Sequence, residues 1–159
     1  MEKQLLIGLL LSFLPVFELR AGLPVVIEYL FRNNQPILPY FLIVLILNIG
    51  VTFFIFFFLD FLHKHFMKIR IYRRLIARYL KKVELKSKKI QKKIDSYGYL
   101  ALSFFVGIPL PGTGVWTGTL IAWILKLDRK KSILAISFGV IIAGIIILLM
   151  SLGIFNVLY

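Results

Sequence analysis

Two apolar segments of this chain are interrupted by proline, glycine and charged residues, and each is followed by an uninterrupted apolar run. The first interruption reads PVFELRAGLP over residues 15–24, and the second reads PLPGTGVWTG over residues 109–118. Irregular backbone at membrane depth is tolerated only where it is buried in protein or lines a cavity. Paired interruptions in two halves of a chain are typical of transporter binding sites. The pattern therefore predicts an inverted repeat, in which an interrupted segment precedes a whole helix twice.

The composition supports an all-α integral membrane protein with one domain over residues 1–159. The chain is 60% hydrophobic with a mean hydropathy of +0.90, and a water-soluble domain of this length could not bury so much apolar surface. There is no cysteine, which excludes a disulfide framework and a thiol nucleophile. His63 and His65 read as a solvated interfacial pair and not as a metal site. No nucleophile, metal cluster or cofactor motif predicts an enzyme.

The positive charge is concentrated in two places. The net charge is +13, and thirteen of the twenty basic residues lie between Lys64 and Lys93. Four more lie between Lys126 and Lys131. Short basic loops beside membrane helices stay in the cytoplasm and attract anionic lipid headgroups. No nucleic-acid reading motif accompanies the charge, so we expect membrane lipids and not nucleic acid as partners.

The positions of the basic clusters predict the topology. Residues 37–59 and 133–155 are the whole membrane spans. Residues 97–125 lie between the two cytoplasmic clusters and must enter and leave on the same face, which predicts a re-entrant hairpin with its tip at 109–112. Residues 5–31 read as a second hairpin with the opposite orientation. The alternative for 5–31 is a single ordinary span.

These elements divide the chain into a first repeat, a linker and a second repeat. The first repeat covers residues 1–62 and the second covers residues 97–159. The basic linker over residues 63–96 is predicted to form amphipathic helices on the cytoplasmic membrane surface.

Glu18 and Arg20 are the strongest candidates for chemistry. At a separation of two they would face different ways on a helix, so each is expected to need another partner: the facing hairpin, water or a substrate. We expect the two hairpin tips to meet near the middle of the membrane, with Glu18 and Arg20 facing the tip over residues 109–116. An ionisable side chain inside the membrane indicates function by default. The alternative is a purely structural polar contact between helices.

The second interruption suggests an anion site. The free N–H groups at the start of its second arm, around Thr113, would carry the positive end of the helix dipole into the membrane and favour a phosphate. The alternative is that Thr113 is a simple N-cap. Trp116 would either pack in the core or form the floor of an apolar lipid or drug site.

Other polar and small residues carry weaker predictions. Stripes of such residues mark close helix packing, either between the repeats or at a homodimer interface. Asp60 reads as an interfacial anchor, and Glu28 and Arg32 as an i,i+4 ion pair. The stripes consist of Asn48 and Thr52 on the first whole span, and of Ala135, Gly139 and Ala143 on the second.

The two interruptions resemble the motifs of a known family. Glu18-x-Arg20-(x)3-Pro24 together with Pro109-x-Pro111-Gly112-Thr113-Gly114-x-Trp116-x-Gly118 is similar to the prokaryotic small multi-drug export family, over nearly the whole chain. That family is a distant relative of the DedA/VTT superfamily, whose members carry paired re-entrant hairpins. The resemblance implies a multi-pass protein of a prokaryotic plasma membrane. It also implies movement of polyprenyl-phosphate or phospholipid and proton-dependent behaviour.

From the residues and the resemblance together, we expect a transporter that moves an amphipathic, anionic or lipid-phosphate substrate with proton coupling. One alternative is a proton-coupled exporter of cationic drugs, and another is a non-transporting protein that supports envelope assembly. Substrate identity, energy source and oligomeric state do not follow from the sequence. The expected substrate or proton-coupling residues are Glu18, Arg20, Pro24, Pro109, Pro111, Gly112, Thr113, Gly114 and Trp116.

Overall fold

The computed structural model describes residues 2–15, 17–68, 97–110 and 112–158. This part of the chain is all-α and contains no strand. The predicted amphipathic helices of the linker fall almost wholly outside the described residues. The helices are α1 (Glu2–Phe13), α2 (Glu18–Arg32), α3 (Ile37–Phe66), α4 (Tyr99–Gly107), α5 (Val115–Ile124) and α6 (Arg129–Leu158).

The two long helices contain the predicted spans and extend beyond them. Both α3 and α6 have 30 residues, which is about 45 Å of helix against a hydrocarbon core of about 30 Å. Helix α6 begins early because Asp128 caps it, and its carboxylate accepts a hydrogen bond from the Lys131 N–H at 2.9 Å. The spans 37–59 and 133–155 are therefore the apolar parts of longer helices.

The first interrupted segment is two helices and not one. Helix α1 ends at Phe13 and α2 starts at Glu18, so a single straight helix over residues 5–31 is wrong. The two helices pack closely and antiparallel through glycines: a Cβ on Gly22 would overlap the Ser12 hydroxyl, and one on Gly8 would lie 2.7 Å from Val26. Small residues allow this approach, which lets the segment fold back on itself.

The second interrupted segment is also divided, between α4 and α5. Its break covers residues 108–114 and contains Gly112 at φ +84°, a left-handed conformation that favours glycine. Helix α5 begins at Val115, two residues later than the predicted arm. A Cβ on Gly118 would lie 2.6 Å from Val106, so α4 and α5 also approach through a glycine.

Helices of the two halves pack against each other. Helix α2 lies against α6, α5 lies against α3, and the two long helices contact each other. The shared interior is built from residues that are fully or almost fully buried. They are Leu23, Val26, Ile27 and Leu30 of α2, Val44 and Val51 of α3, Val106 and Val115 beside the second break, and Ile136 and Val140 of α6.

The outer surface of the long helices is apolar. The most apolar windows of α3 and α6 are only 39% and 33% buried, and both helices are long and apolar enough to cross a membrane. Large side chains such as Phe57, Ile46 and Leu134 project outward and are well exposed. An apolar surface of this extent requires an apolar solvent, so the fold agrees with a membrane environment.

Candidate functional site

The two breaks meet in the interior, and Glu18 lies where they meet. Glu18 is the first residue of α2 and has φ +48°, which turns its side chain away from the helix and toward the second half of the chain. Glu18 is only 5% exposed. Its carboxylate accepts hydrogen bonds from the N–H groups of Val115 at 3.3 Å and Trp116 at 3.1 Å. Glu18 therefore caps the start of α5 from another helix.

Gly114 makes room for this carboxylate. It is the N-cap residue of α5 and has no side chain that could cap the helix itself. A Cβ at this position would overlap the carboxylate oxygens of Glu18. Glycine is needed here because a side chain would occupy the space that the Glu18 carboxylate fills.

Arg20 pairs with Glu18 and also braces the second break. Its Nη1 lies 3.2 Å from Oε2 of Glu18, and its Nη2 donates to the Thr113 hydroxyl at 2.8 Å, to the Thr113 carbonyl and to the Ile108 carbonyl at 3.3 Å. The expectation that neighbours two apart could not neutralise each other is wrong. It assumed regular helical geometry, and the positive φ of Glu18 breaks that geometry.

Thr113 is not the N-cap of α5. Its hydroxyl lies within hydrogen-bond distance of the carbonyl oxygens of Ile108 at 2.7 Å and Leu110 at 2.9 Å, so it closes the turn that ends α4. The neighbouring Thr117 hydroxyl donates to the Gly112 carbonyl at 2.8 Å and accepts from the Gly114 N–H at 3.1 Å. Two threonines therefore hold the break in shape, and the free N–H groups of α5 are left for Glu18.

Asn48 and Trp116 satisfy the open backbone groups of the first break. Asn48 is buried on α3, donates to the Ser12 carbonyl at 3.1 Å and accepts from the Leu19 N–H at 3.3 Å. The Trp116 indole N–H donates to the Phe13 carbonyl at 3.3 Å. The sequence marked Asn48 only as a packing residue, because a lone asparagine in an apolar helix does not show which backbone groups it will meet.

Asn48→Leu is expected to destabilise the protein by about 1–3 kcal/mol, because it leaves a buried carbonyl and a buried N–H without partners. Thermal unfolding of the purified variant in detergent measures the effect. Asn156→Leu is the matched control, since Asn156 is exposed and its side chain donates to the Leu152 carbonyl of its own helix at 2.9 Å. Equal melting temperatures for the two variants would show that Asn48 does not hold the break.

The space beside Glu18 is small. A cavity of about 10 Å³ is lined by Glu18, Arg20, Asn48 and neighbouring apolar residues. That volume holds about one water molecule. The Glu18 carboxylate itself occupies the position at the start of α5 where the sequence predicted an anion.

The remaining predicted site residues lie around this centre. Pro24 is inside α2, where its missing N–H leaves the Arg20 carbonyl without its helical donor. Pro24 and Pro109 line a groove next to Arg20 that is described below. Gly112 is exposed and shapes the turn. Pro111 lies outside the described residues.

A second polar cluster lies at the other end of α5. Asp60 accepts a hydrogen bond from the Trp123 indole at 2.9 Å and pairs with Arg129, whose guanidinium also lies 5.1 Å from the centre of the Phe56 ring. The sequence predicted an interfacial anchor at Asp60 and did not identify these partners. Trp123 therefore acts as a hydrogen-bond donor that fixes the position of Asp60.

The weaker predictions have clear outcomes where the structure describes them. Glu28 and Arg32 form the predicted i,i+4 pair at 2.8 Å. Gly139 and Ala143 are buried, with Gly139 against the Ser103 carbonyl of α4, so this stripe packs within the chain. Among the described residues no group of three or more His, Cys, Asp or Glu could hold a metal ion.

Comparison with known proteins gives one match. The model of a family described as "Putative small multi-drug export protein" matches residues 18–146, a range that begins at Glu18 and includes the second break. No curated protein and no solved structure matches the chain. The family and the two long apolar helices identify a membrane protein. The chain belongs to the small multi-drug export protein family.

Proposed function

We propose that this protein is a transporter of an amphipathic anion, and that a proton on Glu18 is coupled to substrate binding. The observation that carries the proposal is the position of the Glu18 carboxylate, which lies against the first N–H groups of α5 and beside Arg20. A helix start and a guanidinium together are a general anion-binding arrangement. In this conformation the protein fills that arrangement with its own carboxylate.

Protonation of Glu18 would free the site. A neutral carboxyl group no longer balances the charge of Arg20, and it accepts the N–H groups of Val115 and Trp116 less strongly. The uncompensated positive charge would then favour an external anion. Substrate anion and Glu18 carboxylate compete for the same donors, so substrate binding is linked to proton uptake.

This competition fixes the direction of coupling. A proton on Glu18 and an anion beside Arg20 enter the site together, so the two move in the same direction across the membrane. When both leave, the Glu18 carboxylate returns to the start of α5 and neutralises the site for the return step. The cavity beside Glu18 has a volume of only about 10 Å³, and this small size supports such an unloaded state.

A second candidate, export of cationic drugs in exchange for protons, is favoured by the family description. In that mechanism a cation would have to replace Arg20 at the carboxylate. Arg20 is braced by Thr113 and Ile108, and the α5 N–H groups also occupy the carboxylate oxygens, so the contacts favour the anion.

The test is transport by purified protein in liposomes with a pH gradient. A fluorescent single-chain phosphate lipid should move between leaflets faster when its own side is acidic, and a fluorescent cationic dye of similar size should not. Movement of the dye alone, driven by an opposite gradient, would favour drug export. Movement of neither, beyond protein-free liposomes, would favour a structural role in the envelope.

We further propose that both interrupted segments are re-entrant hairpins and that the halves form an inverted repeat, as the resemblance to the DedA/VTT superfamily implies. Two reciprocal contacts support this: α2 of the first interrupted segment lies against α6, and α5 of the second lies against α3. The multi-pass arrangement in the plasma membrane and the cytoplasmic linker are parts of the same proposal.

Single-cysteine labelling checks this topology. We expect a membrane-impermeant reagent to label Lys82→Cys and Lys130→Cys only from the cytoplasmic side and Asn34→Cys only from outside, because short basic loops stay in the cytoplasm. Labelling of Lys130→Cys from outside with Lys82→Cys inside would make residues 97–125 a full crossing and would remove the inverted repeat.

A further inference from the structure

A groove between α2 and α6 opens next to Arg20. It has a volume of about 240 Å³, and Arg20 and Ser151 are its polar lining residues. The rest of the lining is apolar and includes Pro24, Pro109, Ile147 and Ile154. The groove therefore joins a guanidinium to an apolar channel along a helix that faces the membrane.

The polar and apolar parts of the groove follow from the way α2 and α6 pack. Arg20 and Ala143 both line the small cavity beside Glu18, while the rings of Phe31 and Phe155 lie 6.2 Å apart at the other end of the contact. The two helices therefore run in the same direction, and Arg20 lies toward the Ile147 end of the groove. From Ile147 to Phe155 the groove follows α6 for about 12 Å.

One donor at the polar end has no partner. Arg20 uses Nη1 and Nη2 on Glu18, Thr113 and Ile108, but its buried Nε has no hydrogen-bond acceptor in the part of the chain that the structure describes. A buried donor without a partner is unfavourable. Because the Nε is buried, Arg20 would have to shift before an acceptor on a ligand in the groove could satisfy it.

We propose that this groove binds the tail of a single-chain amphiphile whose anionic head lies against Arg20. This inference rests on the proposed function and adds the place and shape of the substrate. The volume lies below the roughly 300–1,000 Å³ of sites for drug-sized molecules, so one narrow chain fits better than a bulky multi-ring drug. The positive charge of Arg20 selects an anionic head.

Binding of radiolabelled dodecyl phosphate to the full chain in phosphatidylcholine nanodiscs tests the groove. Ile154→Trp should weaken binding at least tenfold, because the larger side chain fills the apolar part. Ile145→Trp is the matched control: it is also exposed, and it lies nine residues earlier, on the opposite face of α6. Equal affinity in the two variants would overturn the proposal.

Competition experiments identify what the site recognises. Excess dodecyl phosphate should displace the label, whereas inorganic phosphate and dodecyltrimethylammonium should not. Displacement by inorganic phosphate at similar concentrations would mean a head site without a tail groove. Displacement by the cationic amphiphile would mean an apolar groove without selection by Arg20. Either result would overturn the proposal.

The experiments distinguish a failure of the groove proposal from a failure of the proton-coupling proposal. If Ile154→Trp loses dodecyl phosphate binding while transport in the liposome assay is independent of pH, the groove is correct and the role of Glu18 is wrong. If wild-type protein does not bind dodecyl phosphate but transports another substrate in response to pH, the groove is wrong and the proton coupling stands.

Discussion

Glu18→Gln is expected to reduce pH-gradient-driven transport to the level of protein-free liposomes while the protein stays folded and inserted. The amide cannot take up and release a proton, and it cannot return a negative charge to the start of α5 beside Arg20. The measurement is movement of the fluorescent phosphate lipid against pH, for wild type and variant at matched protein content. Wild-type transport should accelerate as pH falls, because protonation of Glu18 opens the anion site.

The control for this substitution lies on the same helix. Glu28→Gln makes the same chemical change in a glutamate that pairs with Arg32 at a partly exposed position, and we expect wild-type transport from it. The Glu18 variant should still insert, because a charged side chain at the membrane centre costs about 2.5–3.5 kcal/mol that the amide avoids. Wild-type rate and pH profile in Glu18→Gln would make Glu18 a structural residue and end the proton-coupling proposal.

Gly114→Ala is expected to abolish transport and to lower the stability of the protein by about 2 kcal/mol or more. The added methyl group occupies the space of the Glu18 carboxylate, so the N–H groups of Val115 and Trp116 lose their acceptor, and each unmet buried group costs about 1–3 kcal/mol. Thermal unfolding and the liposome assay measure the two effects.

Gly153→Ala controls for the change of glycine to alanine. Among the described residues, no atom outside the adjoining turns of α6 lies within 4 Å of a Cβ at Gly153. Alanine in a helix is favoured over glycine by about 0.5–1 kcal/mol, so this variant should be as stable as wild type or more so. A double-mutant cycle with Glu18→Ala isolates the contact. If Gly114→Ala is as costly in the Glu18→Ala background as in wild type, the carboxylate is not what the methyl group displaces.

These predictions concern a site that the sequence located only in part. The sequence placed Glu18 and Arg20 at one break and Thr113 to Trp116 at the other, and the structure brings these two groups into contact. It did not indicate that the protein's own carboxylate would occupy the predicted anion position. A charged residue beside a break shows that a partner is required, but the partner is 97 or 98 positions away along the chain.

The errors have a common physical cause. Treating Glu18 and Arg20 as regular helical neighbours predicted that they would point apart, and treating Thr113 as the residue before a helix predicted a cap. Both inferences used local periodicity at places where the backbone is not periodic. Glu18 has positive φ, and the turn before α5 is closed by threonine hydroxyls that bond to carbonyls three and five residues earlier.

What the sequence determined by itself is the part of the fold that depends on solvent preference and backbone chemistry. Long apolar runs specify two membrane-length helices, because only a helix satisfies its own backbone groups in lipid. Pro15 lies at the first break, and Pro109 and Gly112 lie at the second, because these residues remove a donor or permit unusual φ.

Only the tertiary structure decided which side chain completes which helix end. Asn48 hydrogen-bonds to backbone groups on both sides of the break between α1 and α2. Glu18 caps α5, and Asp60 accepts from Trp123 and pairs with Arg129. Each of these side chains could have met several open backbone groups or charges elsewhere in the chain. The choice follows from how α2 and α5 pack against the long helices of the opposite halves, because hydrogen bonds and ion pairs act over about 3 Å and depend on that packing.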